Sequence, residues 1–194
     1  KKVERGVFYT PDPVVSYIVR SIHELLIKDF GLPLGLAETA TWQEVSKRLK
    51  IEIPENASPN QPFVQTLDPA VGTGTFLRHI ILLVNKTMLD YWEKEGHPKS
   101  DMKELWSDYV ARHLLPRLYG FELMIAPFAV CHMKLGLTLM QTGYDFRSDG
   151  RLNVVLTNSL EQAQNFAGLP LFNEALAEEA RLANEIKEKA PITV

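Results

Sequence analysis

The sequence is poor in cysteine and has no long apolar run. A single cysteine, Cys131, excludes an internal disulfide and fits a reducing compartment such as the cytoplasm. The apolar runs are far too short to span a bilayer, and no apolar stretch follows the charged residues 1–5, so neither a membrane helix nor a secretory signal is predicted. We therefore expect a cytoplasmic protein without a membrane partner.

An excess of positive charge is also missing. The 194 residues carry a net charge of −3, whereas a domain that holds DNA by itself normally has a basic patch. We therefore expect contacts with DNA to come from a local cluster or from protein outside this sequence. The five histidines have no metal-ligand spacing, so no metal site is predicted.

The spacing of apolar residues predicts helices that alternate with strands. Such alternation indicates an α/β fold, in which helices cover both faces of a mostly parallel sheet. Residues 31–62 are interpreted as an insertion of helix and loop, and residues 94–115 as a helical insertion. The predicted helices are 10–30 with Thr10 as its cap, 41–49 with a Thr41–Glu44 capping box, about 76–95, 101–115, 126–140 and 171–189; the predicted strands are 63–67, 117–121, 152–157 and the opening of a fourth at 192–194.

A glycine-containing turn follows the first predicted strand, in the segment Asp68-Pro-Ala-Val-Gly72-Thr-Gly74-Thr-Phe76. The two glycines allow the backbone to turn tightly and to approach a ligand, and Asp68 places a carboxylate beside the turn. A dinucleotide site would need a third glycine where Leu77 stands, and an acidic residue about 20 positions further on. Because Glu122 lies 50 residues after Gly72, a nicotinamide dehydrogenase is a poor fit.

Polar side chains also follow the second and third predicted strands. Glu122 offers two acceptor oxygens, which suits the two hydroxyls of a ribose. Asn158 presents a donor and an acceptor together, which suits the edge of an adenine ring. Ligands of parallel sheets bind at the carboxyl ends of the strands. The pattern predicts a site for an adenosine that carries a charged tail and no phosphate.

Four motifs in this order resemble the amino-group DNA methyltransferases, especially the adenine-N6 type. Asp68–Phe76 resembles their cofactor loop, Gly6–Pro11 their N-terminal motif, Gly120–Leu123 their ribose-binding strand end, and Thr157–Leu160 their adenine-contacting motif. The resemblance implies S-adenosylmethionine as cofactor, bound in a Rossmann-like methyltransferase domain that covers residues 1–194 and is C-terminally truncated. The implied contacts are Tyr9 and Thr10 to the amino-acid tail; Asp68, Pro69, Ala70, Gly72, Thr73, Gly74, Thr75 and Phe76 to methionine and ribose; Glu122 and Leu123 to the ribose; and Asn158 and Ser159 to adenine.

The order of the motifs is similar to the gamma arrangement, and the segment 121–128 looks most like large single-chain restriction-modification enzymes of types ISP and IIG. The resemblance therefore implies a site-specific enzyme that methylates adenine N6 in DNA. Related large enzymes also carry nuclease and translocase domains, which makes such domains expected partners in a longer protein.

One departure from the family is decisive for catalysis. These enzymes hold the flipped adenine with an Asn or Asp, two prolines and an aromatic residue, whereas this sequence contains no Pro-Pro pair. The resemblance places that motif a few residues beyond Val194. We therefore assign no catalytic residue and expect these residues to bind cofactor without turnover.

Simpler interpretations of the same residues stay open. Asp68 can cap the glycine turn, Glu122 can act as an acidic residue at a helix N-terminus, and Asn158 can close a turn. Two other functions are compatible with the pattern: a binding module for S-adenosylmethionine without catalysis, and a methyltransferase of the same fold that acts on a protein or a small molecule.

Overall fold

A parallel three-stranded sheet forms the centre of the computed structural model, which describes residues 10–55, 57–147, 150–160 and 174–189. The strands lie in the order β1-β2-β3, and their register pairs Asp68 with Gly120 and Glu122 with Leu156. Parallel pairing brings the three carboxyl ends to one edge of the sheet. The strands are β1 (Thr66–Asp68), β2 (Leu118–Glu122) and β3 (Asn153–Leu156).

Helices cover both faces of this sheet, which confirms the predicted α/β arrangement. Leu118 and Val154 face the main core, and Phe121 and Val155 face a second, smaller core on the other side of the strands. Helices α1, α3 and α5 supply the main core, and α6 supplies the smaller one. The helices are α1 (Asp12–Lys28), α2 (Trp42–Leu49), α3 (Thr75–Lys94), α4 (Met102–Tyr109), α5 (Ile125–Gln141) and α6 (Glu174–Lys189).

The ends of the helices follow local chemistry, with one correction. The Thr41–Glu44 capping box is present, since the Thr41 hydroxyl accepts from the Glu44 amide and the Glu44 carboxylate accepts from the Thr41 amide. Thr10 as the cap of α1 is wrong: the Pro11 carbonyl accepts the first helical hydrogen bonds, so Pro11 takes the capping position. The helix predicted over 101–115 is α-helical only to Tyr109. A π-helical turn (Val110–Leu114) and a 3-10 turn (Leu115–Arg117) then lead to β2.

Buried polar bonds attach the segment 31–62 to the rest of the protein. The Tyr109 hydroxyl donates to the Ala37 carbonyl at 2.6 Å, and the buried Arg117 guanidinium donates to the Glu38 carbonyl and to the Tyr109 hydroxyl. On α1, His23 Nδ1 accepts from the Leu36 amide at 3.2 Å. Since a buried polar group without a partner is costly, these bonds fix the segment against α1 and α4.

None of the helices that the structure describes combines the length and the apolar content that crossing a bilayer requires.

Candidate functional site

The carboxyl ends of the three strands bring the predicted polar side chains to one edge. Asp68 is the last residue of β1, Glu122 is the last residue of β2, and Asn158 follows the end of β3 by two residues. The central position of β2 places Glu122 between the other two. The sheet register, rather than proximity in sequence, therefore creates the candidate site.

The glycine turn after β1 has the backbone that its sequence predicts. Gly72 and Gly74 have φ angles of +54° and +79°, in the left-handed region that favours glycine. The Val71 amide donates to the Phe121 carbonyl at 2.9 Å, which fastens the turn to the end of β2. A Cβ atom on Gly74 would lie 2.7 Å from Cys131 Sγ, so α5 packs directly against the turn.

The carboxylate of Glu122 is held by three backbone amides. Oε2 accepts from Gly72, and Oε1 accepts from Leu123 and Met124, each at 2.9 Å. The side chain is buried, and two of its bonds go to amides just ahead of α5, which has no acidic residue in its first turn. A helix-terminal role of Glu122 therefore stays an interpretation. A carboxylate has about four lone-pair directions, so capacity for a ligand hydroxyl remains.

The surroundings of Asp68 disfavour the ionised form of its carboxyl group. Its Oδ1 accepts from the Ala70 amide at 3.1 Å, which caps the glycine turn locally. Burial raises the pKa of the Asp68 carboxyl, the Ala70 hydrogen bond partly offsets this, and the nearby negative charge of Glu122 raises the pKa further. Two carboxylates at neighbouring strand ends therefore favour a ligand that brings positive charge.

The loop after β3 is joined to the loop after β1. The Ser159 hydroxyl donates to the Pro69 carbonyl, across the end of β2. Asn158 Oδ1 accepts from the Leu160 amide at 3.1 Å, and the Asn158 carbonyl accepts from Lys187 on α6 at 2.8 Å. Asn158 therefore closes a turn, as the simpler interpretation expects, and its contact with adenine stays a prediction.

The N-terminal motif is only partly described. Tyr9 lies outside the described residues, and Thr10 is exposed just ahead of α1. Asp12 Oδ1 lies 3.5 Å from His79 Nε2, which places the start of α1 beside the second turn of α3. The contact of Thr10 with a cofactor tail stays a prediction.

The cavities of the structure include only some of the predicted residues. A cavity of 220 Å³ between α1, α3 and β1 is lined by Asp68, Pro69 and Phe76 together with apolar residues, and Glu122 and Asn158 are not among its walls. A groove of 870 Å³ beside α3 and α4 contains none of the predicted residues. Of the other predicted residues, Thr73 and Thr75 are half-buried, Ala70 is exposed and Leu123 is 66% exposed.

Two residues of α5 belong to this region although no motif indicated them. Cys131 is fully buried under Gly74, and burial, followed by the negative charge of Asp68, raises the pKa of its thiol to about 12. Lys134 donates from Nζ to the Thr75 hydroxyl at 3.0 Å. Only the packing of α5 on α3 brings these side chains to the turn. The described residues contain no cluster of three metal-ligating side chains.

Comparison with known proteins gives likeness of structure rather than of sequence. No family model and no curated protein sequence matches the chain. A nuclease-deletion mutant of the Type ISP restriction-modification enzyme LlaGI, in complex with a DNA substrate mimic, has a TM-score of 0.54 and 19% identity over 94% of this chain and 11% of its own.

Two further solved structures give the same result. The DrdV–DNA complex has a TM-score of 0.51 and 22% identity over 93% of this chain and 13% of its own. The ATP-dependent Type ISP restriction-modification enzyme LlaBIII, bound to DNA, has a TM-score of 0.56 and 19% identity over 92% of this chain and 10% of its own. The protein therefore has a fold that occurs in these three proteins, and it spans about a tenth of their length.

Proposed function

We propose that this chain binds S-adenosylmethionine, as the cofactor-binding region of a site-specific DNA adenine-N6 methyltransferase in a restriction-modification system. The observation that carries the proposal is the position of the Asp68 and Glu122 carboxylates at the ends of adjacent strands, beside the turn of Gly72 and Gly74. The likeness to DNA-bound restriction-modification enzymes supports the choice of DNA as the substrate.

The side chains fit an adenosine with a sulfonium better than a nucleotide with phosphates. Glu122 is anchored by three amides and keeps acceptor capacity for a ribose hydroxyl. Asp68 and Glu122 place negative charge where a phosphate would be repelled, and where a sulfonium and an ammonium would be attracted. When bound, the cofactor would supply a methyl group to an acceptor amine. The residues of this chain would orient the nucleoside and hold its charge.

Binding can be measured directly by calorimetric titration of the 194-residue chain with S-adenosylmethionine and S-adenosylhomocysteine. We expect saturable binding of one molecule per chain, and no binding of ATP or NAD. Asp68→Asn and Glu122→Gln should each weaken binding about tenfold or more, the loss of one hydrogen bond to a charged group. Asp90→Asn, which removes an exposed carboxylate paired with Lys86 on α3, is the matched control and should bind normally.

The Asp68 variant separates binding from stability. Because burial raises the pKa of this carboxyl, its ionised form is less favourable in the folded chain than in the unfolded chain. We therefore expect Asp68→Asn to keep or raise the free energy of unfolding at pH 7 while it loses cofactor. Normal binding by both Asp68→Asn and Glu122→Gln would refute the site, and no binding by the unmodified chain would refute the proposed function.

The proposed methyl acceptor needs a separate experiment. These 194 residues contain no Pro-Pro pair, so we expect no methyl transfer to duplex DNA by this chain alone. The complete gene should be expressed in a host without adenine methylation, and its DNA sequenced by a method that detects N6-methyladenine. Methylation of adenine at one recognition sequence is the expected result. Unmodified DNA, or methylation of cytosine, would contradict the proposed substrate.

A further inference from the structure

Lys134 is a cation at the edge of the candidate site that the sequence motifs do not include. It lies on α5, and its ammonium donates to the hydroxyl of Thr75, the first residue of α3, at 3.0 Å. The adjoining turn of α5 is fixed in place, since Cys131 and Leu135 pack against Gly74. The backbone of Lys134 is therefore held at a set distance from the glycine turn.

Lys134 has no ion-pair partner among the residues that the structure describes. Its side chain is half-buried, and none of the ion pairs formed by these residues includes it. It also lies at the N-terminus of α3, where the helix dipole disfavours a cation. Partial burial of an ammonium beside a neutral hydroxyl is costly, and the cost decreases when an anion binds next to the ammonium.

Lys134 shares its surroundings with the two carboxylates of the site. The Asp68 carboxylate accepts from the Ala70 amide, the Glu122 carboxylate accepts from the Gly72 amide, and the Lys134 ammonium donates to the Thr75 hydroxyl. Two negative groups and one positive group thus contact the same turn of backbone. The complementary ligand carries positive charge at one position and negative charge at another, as an amino acid beside a sulfonium does.

We propose that Lys134 is a specificity-determining residue whose ammonium binds the carboxylate of the amino-acid tail of the cofactor. The inference rests on the proposed function, because it assigns a role within the same site. Thr75 holds the ammonium in place until the carboxylate joins it as a second acceptor. Lys134 then selects ligands by the carboxylate alone, while Asp68 and Glu122 select by the nucleoside and the positive charge.

Two ligands that differ only in this carboxylate test the assignment. S-adenosylmethionine and its decarboxylated form should be titrated into the unmodified 194-residue chain and into Lys134→Met. We expect Lys134→Met to weaken binding of S-adenosylmethionine about tenfold and to leave the decarboxylated form within about twofold, the difference expected for one charge-assisted hydrogen bond. Lys134→Arg should retain most of the preference, since it keeps the charge.

One more variant and a control distinguish the charge of Lys134 from its hydrogen bond to Thr75. Lys134→Gln keeps a donor for Thr75 but has no charge, and it should lose the preference for the carboxylate as Lys134→Met does. Lys47→Met, on the exposed surface of α2, is the matched control and should bind both ligands normally. Thermal unfolding of each variant confirms that it is folded.

Each result leads to a distinct conclusion. Equal weakening of both ligands by Lys134→Met would overturn the assignment, because Lys134 would then act only through Thr75. Unchanged binding of both ligands would overturn it as well, while the proposed function would stand. If the unmodified chain bound neither ligand, the proposed function itself would fail, and this inference with it.

Discussion

Replacement of Gly74 by alanine tests the most constrained contact of the site. Gly74 has a φ of +79°, which is strained for any residue with a Cβ atom. The new Cβ would lie 2.7 Å from Cys131 Sγ and 3.3 Å from Leu135 Cδ2, both on α5. Gly74→Ala therefore combines backbone strain with a steric clash inside the core.

The two contributions can be separated with a control variant that has the strain without the clash. Left-handed strain costs about 1–2 kcal/mol, and overpacking of a core costs about 1–3 kcal/mol. We expect Gly74→Ala to lower the free energy of unfolding by about 2–5 kcal/mol. Gly31→Ala is the matched control, because Gly31 has a φ of +59° and no atom within 4 Å of the added Cβ. It should lose only the strain contribution.

Denaturant unfolding of both variants, followed by circular dichroism, measures the difference. Cys131→Ala removes the sulfur atom that the new Cβ would meet, so it should partly rescue Gly74→Ala in a double-mutant cycle. If Gly74→Ala cost no more than Gly31→Ala, or if Cys131→Ala gave no rescue, the packing of α5 against the glycine turn would be refuted.

Two further predictions concern stability. Burial lowers the pKa of His23, whose Nδ1 accepts from the Leu36 amide. The contribution of His23 to the free energy of unfolding should therefore be complete above about pH 6.5 and decrease as the pH falls towards the lowered pKa. Burial also lowers the pKa of His113, which should change stability with pH in the same direction. His23→Asn keeps an acceptor but cannot titrate, and a pH profile of unfolding as steep as that of the unmodified chain would contradict this. Thr41→Ala removes the capping bond to Glu44 and should cost about 1 kcal/mol in denaturant unfolding, whereas an unchanged midpoint would argue against the capping box.

Helix α5 shows how far periodicity predicts structure. The spacing of Ala126, Val130, Met133, Leu137 and Met140 correctly predicts a helix, yet this face is exposed, with Met133 at 62% exposure. The buried face carries Cys131, Leu135 and Leu139 instead. Both faces of the helix are apolar, so the sequence pattern alone does not distinguish them. The positions of α3 and the sheet decide which face is covered.

The same limit applies to the boundaries of elements. The sequence predicts the first strand at 63–67, whereas it forms at 66–68. The preceding residues pack instead against the segment 31–62, where the ring centroids of Phe63 and Trp42 lie 4.6 Å apart. Thr10 is not the helix cap, because α1 begins at Asp12 and Pro11 occupies the N-cap position. Local propensity gives the kind of element, and competing neighbours set its ends.

The sequence alone determined the features that depend on residues close together along the chain. The capping box at Thr41, the glycine turn after Asp68 and the alternation of strands with helices are of this kind, since each requires only short-range bonds or a short period. Only the tertiary structure decided what meets across long separations. The bond between Glu122 and Gly72 and the bond between Lys134 and Thr75 span 50 and 59 residues, and they form because sheet register and helix packing, which no local pattern encodes, bring these groups together.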